Sequence, residues 1–342
     1  MCRCLGCWVV ILALLAGCVN KKGEYYEESG TVFHTLYQIK YQSNELLTEK
    51  IDRELQDFSL SLNPFNPNSI IAKVNRNEPV EVNQWFIDVF TKAQEISAKS
   101  DGAFDATVAP LINLWGFGFS KMDSVTPAMI DSIKQFVGYQ KIRLEGKTVV
   151  KDDPRVMLNF SAIAKGYACD VVARLLEREG VTNYMVNIGG EIVVNGVNQY
   201  GDCWRLGINK PEEDQKGINQ KVEEIVRPCK KAGFATSGDY RNFYEKDGKK
   251  YAHTIDPVTG YPAGQNVLSA TVIADDCMTA DGYATVFMVL GVEKAVEMAK
   301  SFSGIEYYLI YLDENGKHKA YYSEGMLPYL PNRKTLAILE NP

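Results

Sequence analysis

Residues 156–194 read VMLNFSAIAKGYACDVVARLLEREGVTNYMVNIGGEIVV. The run opens on a short apolar stretch, Val156 to Phe160, that reads as a strand. Ser161 follows where a helix cap belongs, and Ile163, Tyr167, Val171, Leu175 and Leu176 recur at helical spacing up to Gly180. Tyr184 to Val194 returns to strand, interrupted by Gly189-Gly190.

The flanks repeat this alternation. On the N-terminal side, Thr31 to Tyr41 alternates as a strand, and Glu45 to Leu60 carries Leu47, Ile51, Leu55 and Phe58 at helical spacing. A turn-rich loop, Asn63-Pro64-Phe65-Asn66-Pro67-Asn68, precedes a second amphipathic helix from Asn83 to Lys99, closed by Ser100-Asp101-Gly102. Ala103 to Ser120 reads as a loop rich in aromatics (Trp115, Phe117, Phe119). On the C-terminal side, Thr271–Ala274 reads as strand, Thr279–Leu290 as a helix stopped by Gly291, and Glu293–Phe302 as another helix. Ile305–Leu312 and Lys319–Tyr322 form a hairpin turning at Glu314-Asn315-Gly316. No strict βαβ rhythm emerges. The expectation is one α+β domain over residues 31–342 on a mixed or antiparallel sheet with flanking helices, large enough for a two-lobed shape.

The first residues speak to compartment. Arg3 precedes an apolar core from Cys7 to Ala16, of signal-peptide length, and the apolar stretch ends at Val19, short of the about 20 residues a spanning helix needs. Leu15-Ala16-Gly17-Cys18 looks like a bacterial lipoprotein signal, with Cys18 as the acylated first residue; the competing reading is an uncleaved anchor helix. Residues 1–17 are thus expected to be a signal peptide and 18–30 a polar tether, the protein being anchored on the periplasmic side of a bacterial membrane, the inner one favoured. Cys2, Cys4 and Cys7 fall within the removed segment. Of the remaining cysteines, Cys203 and Cys229 could pair, but sequence does not fix connectivity. Loss of Arg3 takes the net charge from −6 to −7, which disfavours nucleic acid as a partner.

Several residue sets carry chemistry. Asp281 and Thr285 are four apart in a helix for which Thr279 is the expected cap, so a carboxylate and a hydroxyl share one face about 6 Å apart. Both are hard oxygen ligands suited to Mg²⁺. An acid near a helix start is also commonplace, favoured by the dipole. Ser161-Ala162-Ile163-Ala164-Lys165-Gly166 opens the other clear helix, whose free amides could seat a phosphate. Lys165 there runs against the dipole and so suggests an anionic partner, unless it is simply solvated. The pair Gly189-Gly190 before Glu191 suggests a bulge or a ligand's close approach, without a dinucleotide fingerprint. His253, one of three histidines, precedes the turn Asp256-Pro257-Val258-Thr259-Gly260; it reads as a base or orienting group, or as a structural histidine. Asp256 and Thr259 read equally as caps of that turn. No hydrolase elbow and no zinc spacing are present.

Taken together, these segments resemble the ApbE family, the FAD:protein FMN transferases. The matching pieces are Ser100-Asp101-Gly102-Ala103-Phe104-Asp105-Ala106-Thr107, Trp115-Gly116-Phe117-Gly118, and Ala162-Ile163-Ala164-Lys165-Gly166-Tyr167-Ala168 with Asp170. They continue with Val186-Asn187-Ile188-Gly189-Gly190, Ala235-Thr236-Ser237-Gly238-Asp239-Tyr240, the His253 to Pro262 segment, and Thr279-Ala280-Asp281 with Thr285. The resemblance implies that Asp281, Thr285 and the carbonyl of Ala162 hold Mg²⁺, and that FAD lies along Ala103, Phe104, Asp105, Asn159, Lys165 and Ile255. It places Phe33 and Phe65 among the flavin-site residues and His253 close to the transferred phosphate. Phe65 stands where Tyr or Trp is frequent, Asn159 where some members carry Asp, and Met278 where some carry a further metal-binding Asp.

The implied reaction is attack by an acceptor Thr or Ser hydroxyl on the FMN-side phosphorus of FAD with AMP leaving, His253 taking the proton (Asp239 and Asp256 being the other candidates) and Lys165 binding the pyrophosphate. The implied acceptors are membrane redox subunits of sodium-translocating NADH:quinone oxidoreductase or Rnf-type complexes. Two rivals remain open at this point: a Mg²⁺-dependent FAD pyrophosphatase and a non-catalytic FAD-binding lipoprotein.

Overall fold

Backbone pairing gathers eight strands into one sheet, antiparallel throughout and ordered as the chain runs, with three separate two-stranded hairpins among the described residues. Its strands are β1 (Glu24–Val32), β2 (Thr35–Ser43), β3 (Tyr184–Ile188), β4 (Glu191–Asn195), β5 (Ala232–Gly238), β6 (Val267–Ala274), β7 (Ile305–Leu312) and β8 (His318–Tyr322). The structure, a computed structural model, describes residues 23–118, 125–211, 221–238, 243–246, 249–264 and 266–331. Cys18, Phe119, Asp239 and Tyr240 lie outside the described residues.

The α+β expectation holds. One face of the sheet carries α3 (Ala164–Arg178) on β3 and β4, and α4 (Cys277–Leu290) on β5 and β6. Over these lie α1 (Thr48–Leu62), on α3, and α2 (Gln84–Lys99), on α4. Being covered on both sides, α4 is apolar almost all round and buries Ala280, Tyr283, Val286, Phe287 and Val289. The opposite sheet face packs Met185, Val194, Phe234, Ile273, Tyr308 and Ile310 against Trp204, Leu206, Ile208, Val226 and Met326. A disulfide between Cys203 and Cys229 closes that side, settling the pairing the sequence leaves open. Cys169 and Cys277 are free and buried. Among the described residues no helix is long and apolar enough to cross a membrane.

Several sequence expectations are corrected. Thr31–Tyr41 is two strands, not one: the chain reverses at Phe33-His34, with φ of 51° and 60°. Such values normally call for Gly or Asn, so the turn carries no sequence signal. The first strand reaches back to Glu24, into the segment read as a tether, and is pinned by the buried hydrogen bond of Tyr41 Oη to Glu28. Gly189-Gly190 turns a hairpin between β3 and β4 rather than interrupting one strand, with φ of 72° and 106°. Val156–Phe160 is extended but not in a ladder. The Asn75 side chain occupies both polar groups of Leu158, at 2.8 Å each, and Met157 makes only an isolated bridge to Val108. The Ala103–Ser120 loop contains a helical turn, Ala109–Leu114, begun by Pro110.

Candidate active site

Two helix starts define the site. Helix α4 begins at Cys277, not Thr279, because Asp276 is its cap, accepting from the Thr279 amide at 2.7 Å. Asp170, on α3, accepts from the amides of Cys277 and Met278 at 2.9 and 2.8 Å. One helix therefore supplies a carboxylate to the opening amides of the other. Asp281 consequently lies in the second turn, where capping does not explain an acid. Helix α3 begins at Ala164 after Ile163, and Ser161 does not cap it; the Ser161 amide instead donates to Asn159 Oδ1 at 2.7 Å. Gly166 brings the helices together. A Cβ there would lie 2.3 Å from the Cys277 carbonyl oxygen, and its amide donates to Asp281 Oδ2 at 3.0 Å.

Beside this junction opens a cleft of about 480 Å³. Phe33, Ala103, Phe104, Asp105, Asn159, Ala162, Lys165, His253, Ile255, Asp281 and Thr285 all line it. They arrive from well-separated parts of the chain. Phe65 is the exception: it lines an adjoining recess of about 130 Å³, walled by Phe33, Phe58, Pro64 and the Lys165 stem, and is 54% exposed. Its ring stands edge-on to His34 at 5.6 Å between centroids.

Individual environments sort the residues. Asp105 is buried, and both its carboxylate oxygens are occupied. Oδ1 accepts from the Thr107 amide and hydroxyl, Oδ2 from the Tyr139 amide, each at 2.7 Å, so the side chain shapes its loop. The Asn159 amide donates to the Ala106 carbonyl at 2.7 Å, tying the two cleft-lining loops. Asp256 is spent on its own turn, accepting from the Val258 amide at 2.8 Å and the Thr259 hydroxyl at 2.8 Å. That turn is anchored by the Trp115 indole N–H on the Gly260 carbonyl at 2.8 Å, which fixes the approach of His253 and Ile255 to the cleft.

The charged centre consists of Lys165, Asp281 and Glu191. The Lys165 ammonium lies 2.6 Å from Glu191 Oε1. Burial works against its charge, but the Asp281 and Glu191 carboxylates outweigh burial and raise its pKa. Burial raises the Asp281 carboxyl, with Lys165 and the Gly166 amide pulling it down. Glu191 is pushed up to about 7 by burial, against the pull of Lys165. Glu191 is a cleft residue to which the sequence reading gives no role. Its signal is a lone acid opening an otherwise apolar strand, Glu191-Ile192-Val193-Val194. Ser237, 3.5 Å from the Thr285 hydroxyl, is another.

The donor set fits a hard divalent cation. Asp281 is 3% exposed and lines the cleft, and while the Gly166 amide occupies its Oδ2, no hydrogen bond is recorded to its Oδ1 among the described residues, which leaves that oxygen available to a cation. The hydroxyls of Thr285 and Ser237 and the backbone of Ala162 border the same space. No cluster of three acidic, His or Cys side chains exists among the described residues, so any cation would lean on hydroxyl, carbonyl, water and phosphate oxygens.

Comparison with known proteins places this geometry. The profile of the ApbE family matches residues 33–309, and the chain belongs to that family. A FAD:protein FMN transferase of Vibrio cholerae is 39% identical over 337 residues, covering 94% of this chain and 98% of the relative. The protein of the same name from Haemophilus influenzae is 36% identical over 328 residues, covering 91% and 93%. Among solved structures, flavin transferase ApbE from Vibrio cholerae superposes with a TM-score of 0.80 at 37% identity, covering 90% of this chain and 99% of the other. The apo flavinyl transferase ApbE of Pseudomonas stutzeri gives 0.79 at 29% identity, covering 90% and 98%.

Proposed function

We propose that this chain transfers the FMN half of FAD to a Thr or Ser hydroxyl of an acceptor protein, releasing AMP, with Mg²⁺ held by Asp281, Thr285 and the Ala162 carbonyl. As a member of its family the chain is an enzyme, a flavin transferase with FAD as substrate. The observation that carries the finer reading is the junction at Gly166, where one amide ties the Asp281 carboxylate to the helix start that bears Lys165.

When bound, the cation supplies charge neutralisation on the pyrophosphate. The chain's own groups do the rest. Lys165 offers a fixed positive charge to the phosphates, and Phe33, Ala103, Phe104 and Ile255 shape the apolar walls against which a flavin ring packs. A new bond forms between the acceptor oxygen and the FMN-side phosphorus. The bridging P–O bond on that phosphorus breaks, and AMP leaves with the bridging oxygen. His253, on the cleft wall, takes the acceptor's proton. Positioning supplies most of the acceleration.

The acceptors proposed are membrane redox subunits of sodium-translocating NADH:quinone oxidoreductase or Rnf type. The site of action is the periplasmic side of the bacterial membrane, the enzyme being tethered through a lipid on Cys18. Incubating enzyme, FAD, Mg²⁺ and an acceptor subunit, then reading in-gel flavin fluorescence and AMP, tests the reaction. Asp281→Ala should reduce labelling by at least about a hundredfold. Equal labelling by wild type and variant sinks the cation assignment. Free FMN formed without acceptor, as fast as transfer, would make the enzyme a pyrophosphatase instead.

A further inference from the structure

Lys165 has two carboxylates to choose between. It is paired with Glu191 at 2.6 Å, and the Asp281 carboxylate, lining the same cleft, also acts on the ammonium. Asp281 cannot retreat, because the Gly166 amide, the next residue after the lysine, fixes its Oδ2. Lysine is a compact cation on a flexible four-carbon stem. An ammonium swung onto Asp281 would fill the position a divalent cation needs, making Lys165 a resident competitor for the metal.

What prevents this is built with some care. Glu191 opens β4 directly after the Gly189-Gly190 turn, is 4% exposed, and its backbone carbonyl accepts from the Cys169 thiol at 3.1 Å. Its second oxygen, Oε2, is buried without a hydrogen-bond partner among the described residues, while Oε1 holds Lys165. A Cβ at Gly189 would lie 3.2 Å from that oxygen and 3.0 Å from Thr35, so glycine leaves the room the carboxylate uses. A buried carboxylate with one unsatisfied oxygen costs stability.

We propose that Glu191 is a positioning residue that draws the Lys165 ammonium away from Asp281, keeping Asp281 open to the divalent cation and Lys165 turned toward the phosphates. The proposal rests on the cation reading above. It differs from a plain charge effect, in which Glu191 would attract a cation whether or not Lys165 were there.

A double-mutant cycle separates the two. Mn²⁺ binding to the full-length protein without FAD is followed by electron paramagnetic resonance for wild type, Glu191→Gln, Lys165→Met and the double variant. With Lys165 present, Glu191→Gln should weaken Mn²⁺ binding about tenfold or more, the range seen when groups supporting a metal's ligands are removed. In the Lys165→Met background the same change should cost less than about threefold, and Lys165→Met alone should bind more tightly than wild type. An equal loss in both backgrounds overturns the proposal. Should Glu191→Gln fail to fold, Glu191→Asp keeps the charge but withdraws it by one methylene. Positioning then predicts weakened Mn²⁺ binding that Lys165→Met restores, whereas unchanged affinity overturns it. Wild-type Mn²⁺ affinity retained by Asp281→Ala would instead show that the cation reading itself has failed, and this inference with it.

Discussion

Asp170 shows how a single buried side chain sets the site. Its carboxylate holds the first two amides of α4, the helix that carries Asp281 and Thr285. Burial pushes its pKa up to about 7, against the pull of the Cys277 and Met278 amides. The folded-state value lies above the unfolded one near 4, so the associated stability is fully present below about pH 4 and is lost as pH rises toward 7. The loss is at most about 1.4 kcal/mol per pH unit for one proton. Urea unfolding between pH 4 and 7.5 should show Asp170→Asn with a flatter profile than wild type. Parallel profiles would mean that Asp170 is ionised throughout. Asp170 was visible in the sequence only as part of a motif, since nothing local tells that its partner is a helix start 107 residues away.

Between elements, the critical contact is α3 against α4, and it exists because position 166 has no side chain. Gly166→Ala would put a methyl 2.3 Å from the Cys277 carbonyl oxygen and 2.8 Å from Asp281 Cβ, both on a helix that cannot yield cheaply. We expect a loss of about 1–3 kcal/mol in unfolding free energy, together with weakened flavin transfer, measured by denaturant titration and acceptor labelling. Unchanged stability and labelling would show that the helices part without harm. The helices themselves were legible, because α1, α2 and α3 bury apolar residues at helical spacing and α4 is a long apolar run stopped by Gly291. Their starts were less so. Ser161 and Thr279 look like caps, yet Ile163 and Asp276 occupy those places: Ser161 is folded onto Asn159 Oδ1, and Asp276 stands three residues ahead of Thr279 and takes its amide. The Phe33-His34 reversal was invisible for want of any Gly, Pro or Asn. The cleft was legible as a set of segments, and Asp281 with Thr285 as a pair. The Lys165–Glu191 pairing was not, because a long-range ion pair leaves no periodicity.

Taken whole, the molecule divides its sheet into a working face and a supporting one. Helices α3 and α4 carry the cleft on the first, while the second is closed by the segment tied through Cys203 and Cys229, none of whose described residues lines the cleft. Replacing both cysteines by serine opens a loop of 26 residues and should lower stability by about 2–4 kcal/mol. FAD affinity measured by flavin fluorescence should stay unchanged, and a drop would reveal coupling across the sheet. The claim on which the rest depends is that a hard cation and the dinucleotide's phosphates meet where α3 and α4 begin. Crystals grown with Mn²⁺ and FAD test it most directly through the anomalous difference map. The account predicts a manganese peak in contact with Asp281 and Thr285, with the pyrophosphate beside Lys165. A peak elsewhere in the molecule, or a pyrophosphate lying away from that junction, would contradict it.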